Sequence, residues 1–141
     1  MSALTFILVV LVAFIAGVAS VVDERQFHRP LVACTLMGCA LGDPTTGIML
    51  GGALELIALG WMNVGAAMAP DSALASTISA VVVIQGHQDI TTGIAIAVPL
   101  AAAGQVLTIF VRTITVFFQH QADNFAKTAN FRGIELMHIS G

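Results

Sequence analysis

The sequence predicts an all-α integral membrane protein built from several embedded helices, some of them short or broken. Of its 141 residues, 57% are hydrophobic and only 9% are charged, and the mean hydropathy is +0.95. A soluble domain carries about 25% charged residues. The charges are also unevenly placed, because residues 1–22 have none and residues 30–111 have only four. So few charged side chains cannot cover a surface that faces water.

The same composition argues against several function classes. Five basic residues and a net charge of −3 are unsuited to nucleic acid, which needs a basic protein face. Cys34 and Cys39 share one apolar segment and are interpreted as small hydrophobic residues rather than a disulfide. The sequence has no Gly-rich phosphate loop, no Ser/His/Asp order and no Cys/His metal spacing. We therefore expect no metal, no cofactor and no catalytic residue.

The apolar segments predict helices of two lengths. Crossing a hydrocarbon core takes about 20 apolar residues. Residues 3–22, 48–69 and 90–111 are long enough, whereas 31–41 and 72–84 are too short and are interpreted as half-helices. No basic residue precedes the first segment, which favours a retained span over a cleaved signal peptide. Short and interrupted segments beside full spans are typical of a polytopic transporter, in which re-entrant or broken helices line a substrate cavity.

The basic residues predict the orientation in the membrane. They occur in two stretches, 25–29 and 112–132, and the positive-inside rule places both in the cytoplasm and the N-terminus outside. Two full spans and two half-helices between them satisfy this topology. We divide the chain into a membrane-embedded region, 1–118, and a polar, amphipathic interfacial segment, 119–141. A disordered tail is the alternative for the second region.

A six-residue pattern occurs twice. Asp43–Ile48 and Asp89–Ile94 are identical at five of six positions, and each copy opens a long apolar run. Asp and Thr are good N-cap residues, which satisfy backbone N–H groups at the start of a helix. The repeat predicts two capped helices, and duplicated hairpins or convergent capping chemistry explain it equally.

Glu55 is the strongest candidate for a functional residue. A carboxylate at the centre of a membrane helix costs about 2.5 kcal/mol or more, so it must face a partner or a cavity. Contact with a ligand or ion is one interpretation, and a hydrogen bond between helices is the other. Asn63 lies eight residues on, near the same helix face, and Trp61 is either part of this set or an interfacial anchor. A carboxylate, an amide and an aromatic ring suit a sugar, whose hydroxyls need paired donors and acceptors.

Three further polar clusters supply the remaining candidate substrate-binding residues. The first cluster follows Pro70 and acts either as a ligand or as a helix cap. The second surrounds Gly86, which permits an unusual turn, and is otherwise a solvent-facing loop. The third forms either a cavity wall or a cytoplasmic loop that sets the topology. The first cluster is Asp71, the second is Gln85, His87 and Gln88, and the third is Asp23, Gln26 and His28.

Several of these blocks closely resemble the IIC membrane subunit of the mannose-family phosphotransferase system. The blocks are Asp-Glu-Arg-Gln-Phe-His-Arg-Pro-Leu at 23–31, Leu-Glu-Leu-Ile-Ala-Leu-Gly-Trp-Met-Asn-Val-Gly-Ala-Ala at 54–67 and Ala-Pro-Asp at 69–71. Gly-His-Gln at 86–88 and Ala-Ala-Ala-Gly-Gln-Val-Leu-Thr at 101–108 also fit. The resemblance runs over most of the chain and corresponds to the N-terminal half of family members. The full-length subunit is then expected to continue into an inverted second repeat.

The resemblance implies a sugar-translocating subunit in a bacterial cytoplasmic membrane. It would work with a second membrane subunit, IID, in a trimer of IIC–IID pairs. Cytoplasmic IIA and IIB subunits would phosphorylate a hexose of the mannose or glucose class as it enters. The membrane subunits carry no phosphohistidine, and some family members are receptors for antibacterial peptides or phage.

Two alternatives from other classes remain open at the level of the sequence. An ion-conducting subunit would use Glu55 as its proton-binding carboxylate. A purely structural or receptor subunit would use its polar groups only to join helices.

Overall fold

The computed structural model describes residues 2–22, 26–62 and 68–140. These ranges contain α-helices and no strand, as the sequence predicts. The chain divides into two compact units, 1–105 and 106–141, which are described separately below. The helices are α1 (Ala3–Val22), α2 (Pro30–Leu41), α3 (Pro44–Ala58), α4 (Ser72–Gln85), α5 (Ile90–Lys127) and α6 (Phe131–Ser140).

Helices α2 and α3 form a tight antiparallel hairpin. Gly42 makes the turn in the left-handed region at φ 88°, which suits a residue without a side chain. Asp43 then caps α3, because its carboxylate accepts hydrogen bonds from the Thr46 N–H at 3.1 Å and the Thr46 hydroxyl at 2.6 Å. The backbones approach closely along the hairpin, and a Cβ at Gly51 would lie 2.9 Å from Leu31 Cα. The C-terminal end of α3 therefore lies beside the N-terminal end of α2.

Helix α4 runs parallel to α2, with their N-terminal ends together. The Ser72 hydroxyl donates to the His28 carbonyl at 3.3 Å, and the Cys34 thiol donates to the Ser76 carbonyl at 3.4 Å. The later residues of the two segments, Cys34 and Ser76, also contact each other, so the two helices run in the same direction. Three chain segments consequently meet at one end of this unit: the starts of α2 and α4 and the end of α3.

Helix α1 packs antiparallel to α2 and α4. Near the N-terminal ends of those helices, Ala16 joins Ala33 and Ala73 in a small buried cluster. Nearer the start of α1, Val9 and Ala13 line an apolar groove of about 210 Å³, with residues from the later turns of α2 and α4. Much of α1 is exposed, which fits a helix that faces lipid.

The first part of α5 packs antiparallel to α4. A Cβ at Gly93 would contact the Val83 and Leu50 side chains, and one at Gly104 would contact Asp71 and Leu74. Pro99 lies inside the continuous helix rather than breaking it. By length and composition, α1 and α5 are the two helices in the described ranges that could cross a membrane.

Helix α3 differs most from the predicted segments. It ends at Ala58, whereas the apolar run predicts a span to residue 69. Its 15 residues reach only about 22 Å, so it cannot cross the membrane alone. Residues 63–67 of the predicted span lie outside the described residues, so the pair of full spans and the orientation stay predictions. Helix α1 has the bounds of the first predicted span, and α2 and α4 are as short as the predicted half-helices.

In the second unit, α5 continues without a break to Lys127. A turn follows, in which Ala129 has a φ of 51° and the Asn130 N–H donates to the Phe125 carbonyl at 3.0 Å. The Asn130 side chain accepts from the Gly133 N–H at 3.2 Å and caps α6. Helix α5 thus passes residue 118, and residues 131–140 are helical rather than disordered, while the interfacial position of 119–141 stays a prediction.

Candidate functional site

The end of the first unit where α2, α3 and α4 meet carries a cluster of polar side chains. We call it the polar junction and define it as Gln26, His28, Arg29, Glu55, Asp71 and Ser72. The loop before α2 supplies the first three, the last turn of α3 supplies Glu55, and the start of α4 supplies the others. The first N–H groups of a helix have no partner within the helix, and its N-terminus carries a partial positive charge, so this end favours acceptors and anions.

Glu55 binds the start of α2 through both carboxylate oxygens. Its Oε2 accepts from the Leu31 N–H at 3.2 Å, and its Oε1 pairs with Arg29 Nη1 at 3.1 Å. Arg29 is the N-cap residue of α2 and has no side-chain capping bond of its own. Glu55 therefore supplies the cap from another helix. Each carboxylate oxygen has two lone pairs, so Glu55 retains the capacity to accept from a ligand as well.

Arg29 and Ser72 are the residues of the polar junction that are not among the predicted substrate-binding residues. In the sequence, Arg29 belongs to the polar cluster that forms either a cavity wall or a cytoplasmic loop, and the structure pairs it with the predicted intramembrane carboxylate. Its Nε also donates to Gln26 Oε1 at 3.3 Å, and its backbone N–H donates to the Gln26 carbonyl at 3.0 Å. The sequence does carry a signal for this pair. A carboxylate within a membrane helix needs a partner, and Arg25 and Arg29 are the basic residues before residue 112.

His28 and Gln26 form the loop side of the polar junction. The Nδ1 atom of His28 is buried and has no hydrogen-bond partner in the described part of the chain. Gln26 has a φ of 62°, a left-handed conformation that is uncommon for a residue with a side chain. The structure thus brings both predicted residues close to the elements that hold Glu55.

Asp71 acts as the N-cap of α4, which was one of its two predicted roles. Its Oδ1 accepts from the Leu74 N–H at 3.0 Å, and its backbone N–H donates to the Ala101 carbonyl at 3.0 Å. Gln105 reinforces this link, because its Nε2 donates to the Met68 carbonyl at 2.6 Å. Helix α5 thereby holds the non-helical segment 68–71 that leads into the polar junction.

The second predicted polar cluster lies at the other end of α4. Gln85, His87 and Gln88 are exposed there, and the 14 residues of α4 place them about 20 Å from its start. They do not form one wall with Glu55 in this structure. The turn also differs from expectation, because Gly86 has an ordinary φ of −83° and His87 takes the left-handed one at 49°.

Two predicted site residues, Asn63 and Asp23, lie outside the described residues. Trp61 is half-buried and packs against the main hydrophobic cluster. Among the described residues, no group of three or more His, Cys, Asp or Glu side chains could hold a metal ion.

The repeated motif caps helices in both copies. The Thr46 hydroxyl and N–H lower the pKa of Asp43, and the Thr91 hydroxyl with the backbone N–H groups of Ile90 and Thr91 lowers the pKa of Asp89. The partner hydroxyl belongs to the second Thr in one copy and to the first Thr in the other. Capping chemistry therefore accounts for both copies.

Comparison with protein families decides the class of this chain. Residues 3–141 match the EII-Sor family, described as the PTS system sorbose-specific IIC component. The chain belongs to this family. It is 66% identical over 140 residues to the fructose permease IIC component of Bacillus subtilis, covering 99% of this chain and 52% of that protein. The mannose-specific EIIC component of Escherichia coli K12 is 64% identical, with 97% and 52% covered.

The chain thus spans about half the length of the curated relatives it matches. It is also similar to a solved structure described as the cryo-EM structure of the mannose transporter ManYZ in complex with microcin E492. The TM-score is 0.88 at 63% identity, covering 99% of this chain and 56% of that one. A second structure, described as a membrane protein, gives a TM-score of 0.87 with 99% and 57% covered. This EII-Sor chain is therefore a helical membrane protein, and the ion-conducting alternative gains no support.

Proposed function

We propose that this chain forms the sugar-handling N-terminal half of a IIC subunit, which moves a hexose of the mannose or glucose class across the bacterial cytoplasmic membrane. The observation that carries the proposal is the position of Glu55. A carboxylate paired with a cation lies where two helix N-termini meet beside a non-helical segment. Transporters place polar substrates where interrupted helices line a cavity rather than lipid.

The chemistry of the polar junction suits a sugar. Hexose hydroxyls both donate and accept hydrogen bonds, and the junction supplies both kinds of group. Glu55 provides acceptor oxygens, and the Gln26 amide provides both a donor and an acceptor. Asn63 and Asp23, predicted from the sequence, complete this proposed site. Gln85, His87 and Gln88 are also predicted to bind the sugar, but they lie at the other end of α4 and are not part of the polar junction.

The remaining steps are assigned to other subunits. We propose that IID completes the membrane complex, as a trimer of IIC–IID pairs, and that IIA and IIB deliver the phosphoryl group to the sugar. This chain then carries no phosphohistidine and catalyses no reaction alone. The microcin in the description of the solved relative supports an additional role as a receptor for an antibacterial peptide, with phage as the other predicted partner.

Hexose binding by the full-length subunit together with IID tests the proposal. We expect saturable mannose or glucose binding in the wild type, weakened about 10-fold or more in Glu55→Gln, because an amide cannot replace a charge-assisted acceptor. Glu135→Gln is the matched control, since Glu135 is exposed on α6, and it should bind as the wild type does. Proton uptake without hexose binding would contradict the proposal.

A further inference from the structure

We propose that Arg29 is a positioning residue for the hexose site and acts by holding the Glu55 carboxylate in its accepting orientation. This inference rests on the proposed function and assigns a role to a residue that is not among the predicted substrate-binding residues. Three features of the polar junction carry it: the way the backbone of Arg29 is fixed, the way its guanidinium is braced, and the way Glu55 depends on it.

The backbone of Arg29 is fixed relative to α3. The following residue is Pro30, which restricts Arg29 to an extended conformation, and the structure has φ −64° and ψ 138° there. Pro30 itself is fully buried. A Cβ at Gly51, one turn before Glu55, would lie 3.0 Å from the Pro30 carbonyl oxygen. The origin of the Arg29 side chain therefore cannot shift away from Glu55 without separating α2 from α3.

The guanidinium of Arg29 is braced at a second point. Its Nε donates to Gln26 Oε1 at 3.3 Å while its Nη1 contacts Glu55 Oε1 at 3.1 Å. Two contacts on different nitrogens orient the planar group as well as its charge. Gln26 has a left-handed φ of 62°, and its carbonyl accepts from the Arg29 N–H at 3.0 Å, so the two residues lie close together in the loop before α2.

Glu55 depends on this arrangement for the position of its Oε1 atom. Oε2 is held by the Leu31 N–H, whereas Oε1 has Arg29 as its contact. The two side chains are 37% and 23% exposed, for Arg29 and Glu55 respectively, so the pair borders open space that a ligand could enter. Without Arg29, the carboxylate keeps only the hydrogen bond from the Leu31 N–H and can rotate about its last side-chain bond. Its oxygens are then less well positioned to accept from a ligand.

A double-mutant cycle on mannose binding tests this role in the full-length subunit with IID. We expect Arg29→Gln to raise the mannose Kd about 10-fold, the scale of one charge-assisted hydrogen bond. Arg29→Lys should raise it about 3-fold, because a lysine keeps the charge but loses the brace to Gln26. Adding Arg29→Gln to Glu55→Gln should cause no further loss, since Arg29 acts through that carboxylate. Arg132→Gln, which removes an exposed arginine of α6, is the control and should leave the Kd unchanged.

The outcomes separate this inference from the proposed function. Wild-type affinity in Arg29→Gln, with binding lost in Glu55→Gln, overturns the positioning role and leaves the function standing. Additive losses in the double variant also overturn it, because Arg29 would then act independently of Glu55. If the wild type binds no hexose, both proposals fail. If Arg29→Gln does not fold, Arg29→Lys decides: an increase of about 3-fold supports the role, and wild-type affinity overturns it.

Discussion

At the scale of single residues, Glu55 shows how a membrane protein accommodates a carboxylate. The start of α2 has N–H groups without helical partners, and its N-cap residue is an arginine, whose side chain has no acceptor atom. One carboxylate from α3 satisfies an N–H group and neutralises the arginine at once. The structural interpretation of Glu55 and the functional one are therefore compatible, because capping leaves lone pairs for a ligand.

Glu55→Ala should lower the free energy of unfolding by about 2 kcal/mol. The loss of the α2 cap contributes about 1 kcal/mol, and the partly exposed pair with Arg29 contributes up to about 1 kcal/mol. Thermal unfolding of the purified protein in detergent measures the effect. Glu135→Ala removes an exposed carboxylate of α6 and should unfold like the wild type. Equal unfolding temperatures for both variants would show that the contacts of Glu55 do not stabilise the fold.

At the scale of helices, close backbone contact holds the α2–α3 hairpin. Gly51 lies against Leu31, Cys34 and Pro30, whereas its neighbour Gly52 has open space where a Cβ would be. Two adjacent glycines of one helix thus have different roles. The first permits the approach that brings Glu55 to Arg29, and the second tolerates a side chain.

Gly51→Ala and Gly52→Ala should therefore have opposite effects on stability. We expect Gly51→Ala to lower the free energy of unfolding by about 1–3 kcal/mol, because the added methyl lies against backbone that cannot move alone. Gly52→Ala should raise it by up to about 1 kcal/mol through better helix propensity. Thermal unfolding of the two variants side by side is the measurement. Equal shifts in unfolding temperature would mean that helix propensity, rather than packing against α2, determines the effect at both glycines.

The aspartate cap of α3 predicts a dependence of stability on acid. Hydrogen bonds from Thr46 lower the pKa of Asp43 in the folded state. The cap therefore stabilises the protein fully above the unfolded pKa of an Asp, about pH 4, and the stabilisation is lost as the pH falls through the lower folded pKa. Asp43→Asn should unfold at a lower temperature than the wild type at about pH 6, with the difference shrinking toward about pH 2. A difference that is constant with pH would rule out this charge contribution.

At the scale of the whole molecule, the sequence predicts the class of protein and several helices, but it does not predict which distant residues lie close together. The charge distribution predicts an all-α membrane protein, and the short apolar runs predict α2 and α4. Cap chemistry predicts the start of α3 and one role of Asp71. Gly60 follows the C-cap Leu59 and is a helix-end signal, but the length of the apolar run through residue 69 outweighs it in the sequence. The sequence also does not show that α5, far along the chain, holds the segment 68–71.

The candidate site shows the same limit. The predicted half-helix at 72–84 separates Asp71 from Gln85, His87 and Gln88, but the sequence does not show which of its ends lies beside Glu55. The parallel packing of α2 and α4 places the start of α4 there. Conversely, Arg29 and Glu55 are 26 positions apart, and their contact follows from the hairpin geometry rather than from any local motif.

Gln105 of α5 holds the non-helical segment 68–71, so replacing it should make the backbone hydrogen bonds of that segment open more often. The Gln105 side chain donates to the Met68 carbonyl, and the nearby Asp71 N–H donates to the Ala101 carbonyl. In Gln105→Ala, the amide of Asp71 should exchange with deuterium faster, by about 5-fold for a lost contact of about 1 kcal/mol. Gln119→Ala, at an exposed position of α5 in the second unit, should leave that exchange unchanged. Unaltered exchange in both variants would show that the Asp71–Ala101 bond holds this segment without Gln105, whereas a specific increase would show that α5 controls the order of the segment leading into the polar junction.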